Sequence, residues 1–462
     1  MSQDTLRRVR DQIHLLRDSV GLPFCDILDG DAVREALTQE NVVFRERIFT
    51  PLITLWTFLS QVLSQDHSCR DAVDRLIAYL VSRGKPACGS ETDSYCKARK
   101  RLPLGVIRRL FSQAVEGLER HVPEDWLWKG RRVQLVDGTT VSMPDTDDNQ
   151  RAFPQPRAQK PGLGFPLARV VAIISLATGA VRDLAMGPYK GKETGETALF
   201  RTLWDRLTRG EIVLGDRYFS SYFGIAPLVQ RGIDGLFRMH QLRKFDFRRG
   251  RRLGIEDHVV RWAKPSRPKW IHESLYDELP GDLVVREIRL RVQQPGFRVN
   301  ELVLVTTMLN AEEYTKEDLA GLFLERWNAE LDLRAIKCEM QMDVLRCQTA
   351  AMVEKEVWMH LLAYNLIRGL IASAAEAHGK RPRQLSFKGT LQALERFRDV
   401  LSLVSPADRP RVVEALLEVI ATSEVGDRFG RVQPRAVKRR PKPHKLLNER
   451  RELARKRLMQ QA

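Results

Sequence analysis

At Arg132 the texture of the chain changes, and no other feature of its 462 residues limits the fold as much. Up to residue 125 the pattern is helical. Phe49–Ser64 is strongly apolar, and Ala72–Leu80 follows a Ser68-Cys69-Arg70-Asp71 cap. In Leu104–Val122, Ile107, Leu110, Ala114 and Leu118 recur on one side. From Val133 the chain is rich in Val, Leu and Thr, which suit a pleated, half-buried surface. Val133–Met143, Leu167–Thr178 and Val181–Met186 read as strands, and Asp145–Pro166 as a polar loop. Thr194–Leu207 reads as helix, Glu211–Leu214 as strand, Tyr222–Gln230 as helix and Gly235–Met239 as strand. The order β-β-β-α-β-α-β predicts a mixed α/β core rather than a doubly wound sheet. In residues 241–306, Ile288, Leu290 and Val292 alternate with Arg289 and Arg291, and Leu302–Val305 follows. That pattern predicts a small antiparallel sheet inserted into the core. Lys316–Met342, Val353–Glu376 and Leu385–Ile420 read as helical, the last broken near Pro406 and Pro410.

Charge narrows the partner. The chain has 76 Lys and Arg against 59 Asp and Glu, a net charge of +17. Residues 431–462 hold 12 basic and 2 acidic side chains, and residues 241–270 hold 10 and 3. These two stretches carry the whole excess, as in a neutral body with polyanion-binding attachments. A charged sheet edge competes with DNA contact for the first patch, and simple solubility competes for the tail, expected to be mobile. Lys97, Arg99, Lys100 and Arg101 are either a solvated helix end or a phosphate-contacting surface. The 43% hydrophobic content is enough for real cores. No apolar run reaches the about 18 residues a membrane helix needs. Met1–Arg10 is polar, and none of the six cysteines (Cys25, Cys69, Cys88, Cys96, Cys338, Cys347) are paired as C-x-x-C. There is no Walker A or G-x-G-x-x-G fingerprint. The expectation is a cytoplasmic protein with no membrane and no nucleotide cofactor.

Three acids sit where metal chemistry would want them. Asp137 is in the middle of the strand LVDGTT, Asp216 ends the strand in IVLGDRYF, and Glu330 lies in the helical FLERWNAELDLRAIK. Carboxylates from separate elements can converge on two divalent ions about 3.5–4 Å apart, which serve phosphoryl transfer. Each acid also has a plainer use. Asp137-Gly138 is a hairpin-turn signal, Asp216 can cap the next helix, and Glu330 has Arg326 and Arg334 at i−4 and i+4.

The helix also carries Phe323-x2-Arg326-x3-Glu330-x6-Lys337. This resembles the Tyr-Arg-Glu-Lys signature of the DDE transposases of bacterial insertion sequences, the cut-and-paste group with a β-strand insertion before the Glu. Phe323 stands where that signature has Tyr. The LVDGTT and GDRYF contexts are similar too, as is the stretch from Ser68-Cys69-Arg70 through Tyr95-Cys96-Lys97-Ala98-Arg99. The resemblance covers roughly residues 40–370. On one continuous helix at about 100° per residue, Glu330 and Lys337 would be nearly in line, with Arg326 one turn back.

The resemblance implies a ribonuclease H-like mixed-sheet catalytic core with an antiparallel β insertion, flanked by N- and C-terminal helical regions. The expected organisation is a DNA-end-binding helical region over 1–128, core over 129–240 and 307–375, basic insertion over 241–306, and C-terminal helices and tail over 376–462. Asp137, Asp216 and Glu330 would be catalytic and would hold two Mg²⁺ ions, with Mn²⁺ able to substitute. The partners would be transposon-end DNA and target DNA, bound by a homodimer in a paired-end complex at the bacterial nucleoid. Phe323, Arg326, Lys337, Arg217, Arg243, Lys244, Arg248 and Arg249 would contact DNA. Trp262 and Trp270 are candidates for stacking on a flipped base, or for packing the small sheet. The competing expectations are a nuclease that cuts without joining, and a non-enzymatic DNA-binding derivative, which should have lost at least one acid.

Overall fold

The computed structural model describes residues 30–42, 48–82, 84–120, 122–291, 301–405, 407–426 and 447–461. Val292, Cys25 and the prolines 434, 441 and 443 lie outside them. The chain divides into two compact units. A helical unit comprises residues 1–127, 177–182 and 332–425, and a sheet unit comprises 128–176, 183–331 and 426–462. No helix among the described residues is long and apolar enough to cross a membrane.

The helical unit is organised around Ala350–Ala377, whose residues are buried over most of its 28-residue length. Leu104–Arg120 buries Val106, Ile107, Leu110, Phe111, Ala114 and Val115, the spacing of one apolar face. Pro51–Val62 starts where Thr50 accepts the Ile53 N–H and Pro51 fills the first helical position. Cys69–Ser82 starts at Ser68, whose hydroxyl accepts the Asp71 N–H at 3.0 Å. Arg99 departs from its expected surface role. It is buried, with its guanidinium 4.9 and 5.0 Å from the Phe58 and Tyr95 ring centres. Asp332 is also buried and is paired with Arg368 and, at 2.7 Å, with Arg383.

Among the described residues, the sheet unit is built on nine strands. They are β1 Val133–Ser142, β2 Leu167–Ser175, β3 Val181–Pro188, β4 Ile212–Gly215, β5 Asp234–Arg238, β6 Arg251–Gly254, β7 Asp257–Ala263, β8 Asp282–Arg291 and β9 Glu301–Thr306. Their order in the sheet is β3-β2-β1-β4-β5-β9-β8-β7-β6. β1 is antiparallel to β2 but parallel to β4, and β4 is parallel to β5. The neighbours β5–β9, β9–β8, β8–β7 and β7–β6 are antiparallel. The expected mixed α/β architecture is therefore present. The small sheet, however, is no separate body: β9 pairs with β5 through Phe237↔Val305 and its neighbours and extends the same sheet.

Buried charges fix the β7–β8 register. Arg286 donates to both Asp257 oxygens at 2.8 and 2.6 Å, and Glu287 is 3.0 Å from His258 Nε2. A one-residue slip would move both acid–base pairs to the wrong face and leave buried charge unpaired.

Two expectations need correction. The segment Lys316–Met342 is not one helix. It divides into Lys316–Leu324, Trp327–Arg334 and a π-helical turn Ala335–Glu339. The tail is not wholly mobile either, because Arg451–Gln461 is helical and is seated on the β1–β2 loop. Arg451 pairs with Asp145, donates to the Leu163 carbonyl at 3.2 Å and lies 4.0 Å from the Phe165 ring centre. Arg451→Ala should cost about 1 kcal/mol at this half-exposed contact. Limited proteolysis should then cut residues 145–166 several-fold faster; unchanged cutting would mean that Arg451 does not hold the loop.

Candidate active site

The site begins with the strand pairing. Parallel register sets Val136 opposite Gly215, and each acid is the next residue, Asp137 on β1 and Asp216 just past β4. Neighbouring strands are about 4.8 Å apart, so the two acidic residues lie side by side at one level of the sheet. Asp137-Gly138 is not a hairpin turn: both residues pair in mid-strand with β2, as Asp137↔Ala172 and Gly138↔Val171. Asp216 does cap a short 3-10 turn, Arg217–Phe219, accepting the Arg217 N–H at 2.6 Å.

Glu330 comes from the helix Trp327–Arg334. Its Oε1 accepts from Arg326, 2.8 Å away, and Arg326 sits at the break between the two helices. Of the two flanking arginines, the structure pairs Glu330 with the one at i−4.

Burial pushes the Asp137 carboxyl up to about 6. The Gly138 N–H and Arg326 oppose that rise, while Glu330 and Glu196 add to it. Asp137, Glu330 and Arg326 therefore act on one another electrostatically. Glu196, on Glu196–Arg201, is a neighbour that sequence reasoning missed. A Cβ on Gly138 would lie 2.7 Å from the Glu196 carboxyl carbon, so with glycine there this acid packs directly against β1. The only signal for it was a glutamate at the start of a predicted helix.

Among the described residues, no three His, Cys, Asp or Glu side chains form a ready-made metal cage. The donor chemistry nevertheless suits a hard divalent cation. Asp137, Asp216 and Glu330 offer only oxygen, which magnesium prefers. Burial first, and the neighbouring Glu330 and Glu196 after it, raise the Asp137 carboxyl.

The other expected contacts fall into two groups. Trp270, Arg217, Lys244, Arg248 and Arg249 are wholly or partly exposed. Arg217 donates to Gln241 at 2.8 Å, and Arg248 and Arg249 both pair with Asp246. Trp270 has Arg201 at 3.6 Å over its ring and lines a cavity of about 480 Å³ with Phe200, Trp204, Tyr218, Phe223 and His240. Trp262 and Phe323 are instead buried, at 4% and 8% exposure. The Trp262 N–H donates to Glu287 at 2.8 Å, and Arg243, half-buried itself, covers the ring at 3.5 Å. Phe323 lies on the inner side of Lys316–Leu324. Lys337 lies on the π-helical turn, so the in-line phase with Glu330, which assumed an unbroken α-helix, does not apply.

Comparison with known proteins gives the site its context. Residues 128–366 match the family described as "Transposase DDE domain". Transposase InsG for insertion sequence element IS4, from Escherichia coli K12, is 28% identical over 426 residues, covering 90% of this chain and 91% of its own length. Putative transposase InsZ, from the same organism, is 25% identical over 214 residues, 45% of this chain and 68% of its own. Among solved structures, the piggyBac transposase synaptic complex with hairpin DNA aligns over 86% of this chain and 84% of that one. Its TM-score is 0.45 at 9% identity.

A raised carboxyl has a sign for stability. The folded state holds the Asp137 proton more tightly than the unfolded state. The cost of ionising it is thus absent below the unfolded value of 3.8 and fully present above about 6. Asp137→Asn should make the metal-free protein more stable at pH 8, by about 1–3 kcal/mol. The gain should vanish toward pH 4. Equal melting of the two proteins at pH 8 would contradict the buried-charge assignment.

Proposed function

The chain belongs to the transposase DDE domain family, and from that premise we propose that it cuts the ends of its own element and joins them to target DNA. The observation that carries this reading is the placement of Asp137 and Asp216 side by side on parallel strands, with Glu330 felt electrostatically at Asp137. The β3-β2-β1-β4-β5 order, with β1, β4 and β5 parallel, supports reading the core as ribonuclease H-like. On that reading β6–β9 are an antiparallel insertion, and the chain falls in the Tyr-Arg-Glu-Lys group with Phe323 in the Tyr position.

In this proposal Asp137, Asp216 and Glu330 hold two Mg²⁺ ions. When bound, such ions would supply activation of the attacking oxygen and stabilisation of the leaving oxygen at phosphorus. Arg326, paired with Glu330, fixes that carboxylate and brings a positive charge toward the scissile phosphate. Water attacks the phosphodiester at the element's end and frees a 3′-OH, and the 3′-OH then attacks target DNA. One phosphodiester is exchanged for another, so no ATP is needed. Lys337 and Arg217 contact flanking phosphates. Lys244, Arg248 and Arg249 line the DNA path, positioning the duplex without reading its sequence. Trp270, in its aromatic cavity, is the stacking residue for a flipped base. The working form is a homodimer holding two ends.

Two experiments test the proposal. With labelled terminal repeats the wild type should cleave and join. Asp137→Ala, Asp216→Ala or Glu330→Ala should each reduce cleavage by about 10³-fold while end binding survives. Cleavage without joining would reduce the protein to a nuclease, and full cleavage by a mutant would remove that residue from the site. Lys244→Ala should weaken binding to all duplexes alike and lower the slope of log K against log salt by about 1. An unchanged slope would place Lys244 off the DNA.

A further inference from the structure

Cys69 and Cys96 lie outside the proposed set of catalytic acids, and the fold brings them together. Cys69 opens the helix Cys69–Ser82, and Cys96 lies in Asp93–Arg101. Their sulfurs are 3.8 Å apart although the residues are 27 apart in sequence. Both are half-exposed, whereas Cys88 and Cys347 are buried. Arg99 joins them, with Nη2 3.2 Å from the Cys69 sulfur and 3.9 Å from that of Cys96. Arg99 is itself fixed by Gln61 at 3.1 Å, and Gln61 in turn accepts the Tyr95 hydroxyl at 2.8 Å. We propose that Cys69 and Cys96 are a redox modification site, which a hydroperoxide closes to a disulfide and a thiol reductant reopens.

The geometry orders the steps. A guanidinium favours the thiolate, and Arg99 is nearer Cys69. The Cys69 thiolate attacks one peroxide oxygen; the O–O bond breaks, and the departing oxygen leaves as water after taking a proton. The Cys96 sulfur then attacks the Cys69 sulfenic acid, forming the S–S bond and releasing a second water. Two thiols are oxidised by two electrons and one hydrogen peroxide is reduced to two waters. Closure needs the sulfurs to approach from 3.8 Å to about 2.05 Å. Burial pushes the Cys69 thiol up, with Arg99 opposing, so Cys69 rests as the thiol and the attack draws on the minor thiolate form that Arg99 stabilises. The closed bond ties the two helices together and restricts the unfolded chain.

The test uses the full-length protein treated with hydrogen peroxide, with Cys25→Ala and Cys338→Ala as background, which removes the exposed thiol among the described residues and the one outside them. The expected result is loss of two thiols per chain and a peptide bearing Cys69 linked to one bearing Cys96. Both changes should reverse with dithiothreitol. Melting should rise by about 5 °C on oxidation. Cys69→Ser and Cys96→Ser should each abolish the link and the rise; either one alone suffices if the other does not fold. A wild type whose Cys69 and Cys96 stay reduced, or whose Cys69 goes to sulfinic acid without a link, would overturn the proposal.

Discussion

Because β1 and β4 run parallel, no tight turn can join them, and the chain needs a long crossover between them. Residues 143–211 make that crossover through β2, β3 and the helix Glu196–Arg201. The geometry follows from this pairing. Two strands with the same direction and with Val136 opposite Gly215 set their next residues, Asp137 and Asp216, at one level. Antiparallel pairing about the same Val136–Gly215 pair would have set these residues two positions apart along the strands. The crossover also delivers the Glu196 side chain to Gly138.

Much of this was legible in the sequence. The boundaries of β1, the helix Tyr222–Gln230 and the short β4 follow from apolar pattern and turn residues, because those segments are buried on both faces or on one clean face. The β5–β9 pairing was not legible. It joins residues about 70 apart, and apolar alternation predicts a strand but not its neighbour. The helix break at Glu325–Arg326 has no proline or glycine to announce it, so one long helix was the natural reading. Burial of Trp262, Phe323 and Arg99 was hidden for a related reason: each is a residue type equally at home on a DNA-facing surface. Arg99 in particular stands in a basic run, and only tertiary packing turns it inward against Phe58 and Tyr95.

The charge has a finer division than a basic insertion and a basic tail. Within residues 241–270, Arg243 is covered against Trp262 and Asp246 answers Arg248 and Arg249, while Lys244 and Arg261 face solvent. At the far end, Arg451 grips the β1–β2 loop. Some of the formal excess is therefore structural, and the charge open to phosphate is smaller than the sequence count.

In the proposed mechanism Asp137, Asp216 and Glu330 together hold divalent metal at one place. Electron paramagnetic resonance of Mn²⁺, titrated into the protein bound to cleaved-end DNA, tests it most directly. Two ions should bind per active site in the wild type, and Asp137→Asn or Glu330→Gln should each remove tight binding while the DNA stays bound. Mn²⁺ uptake that is unaltered by Glu330→Gln would contradict the account.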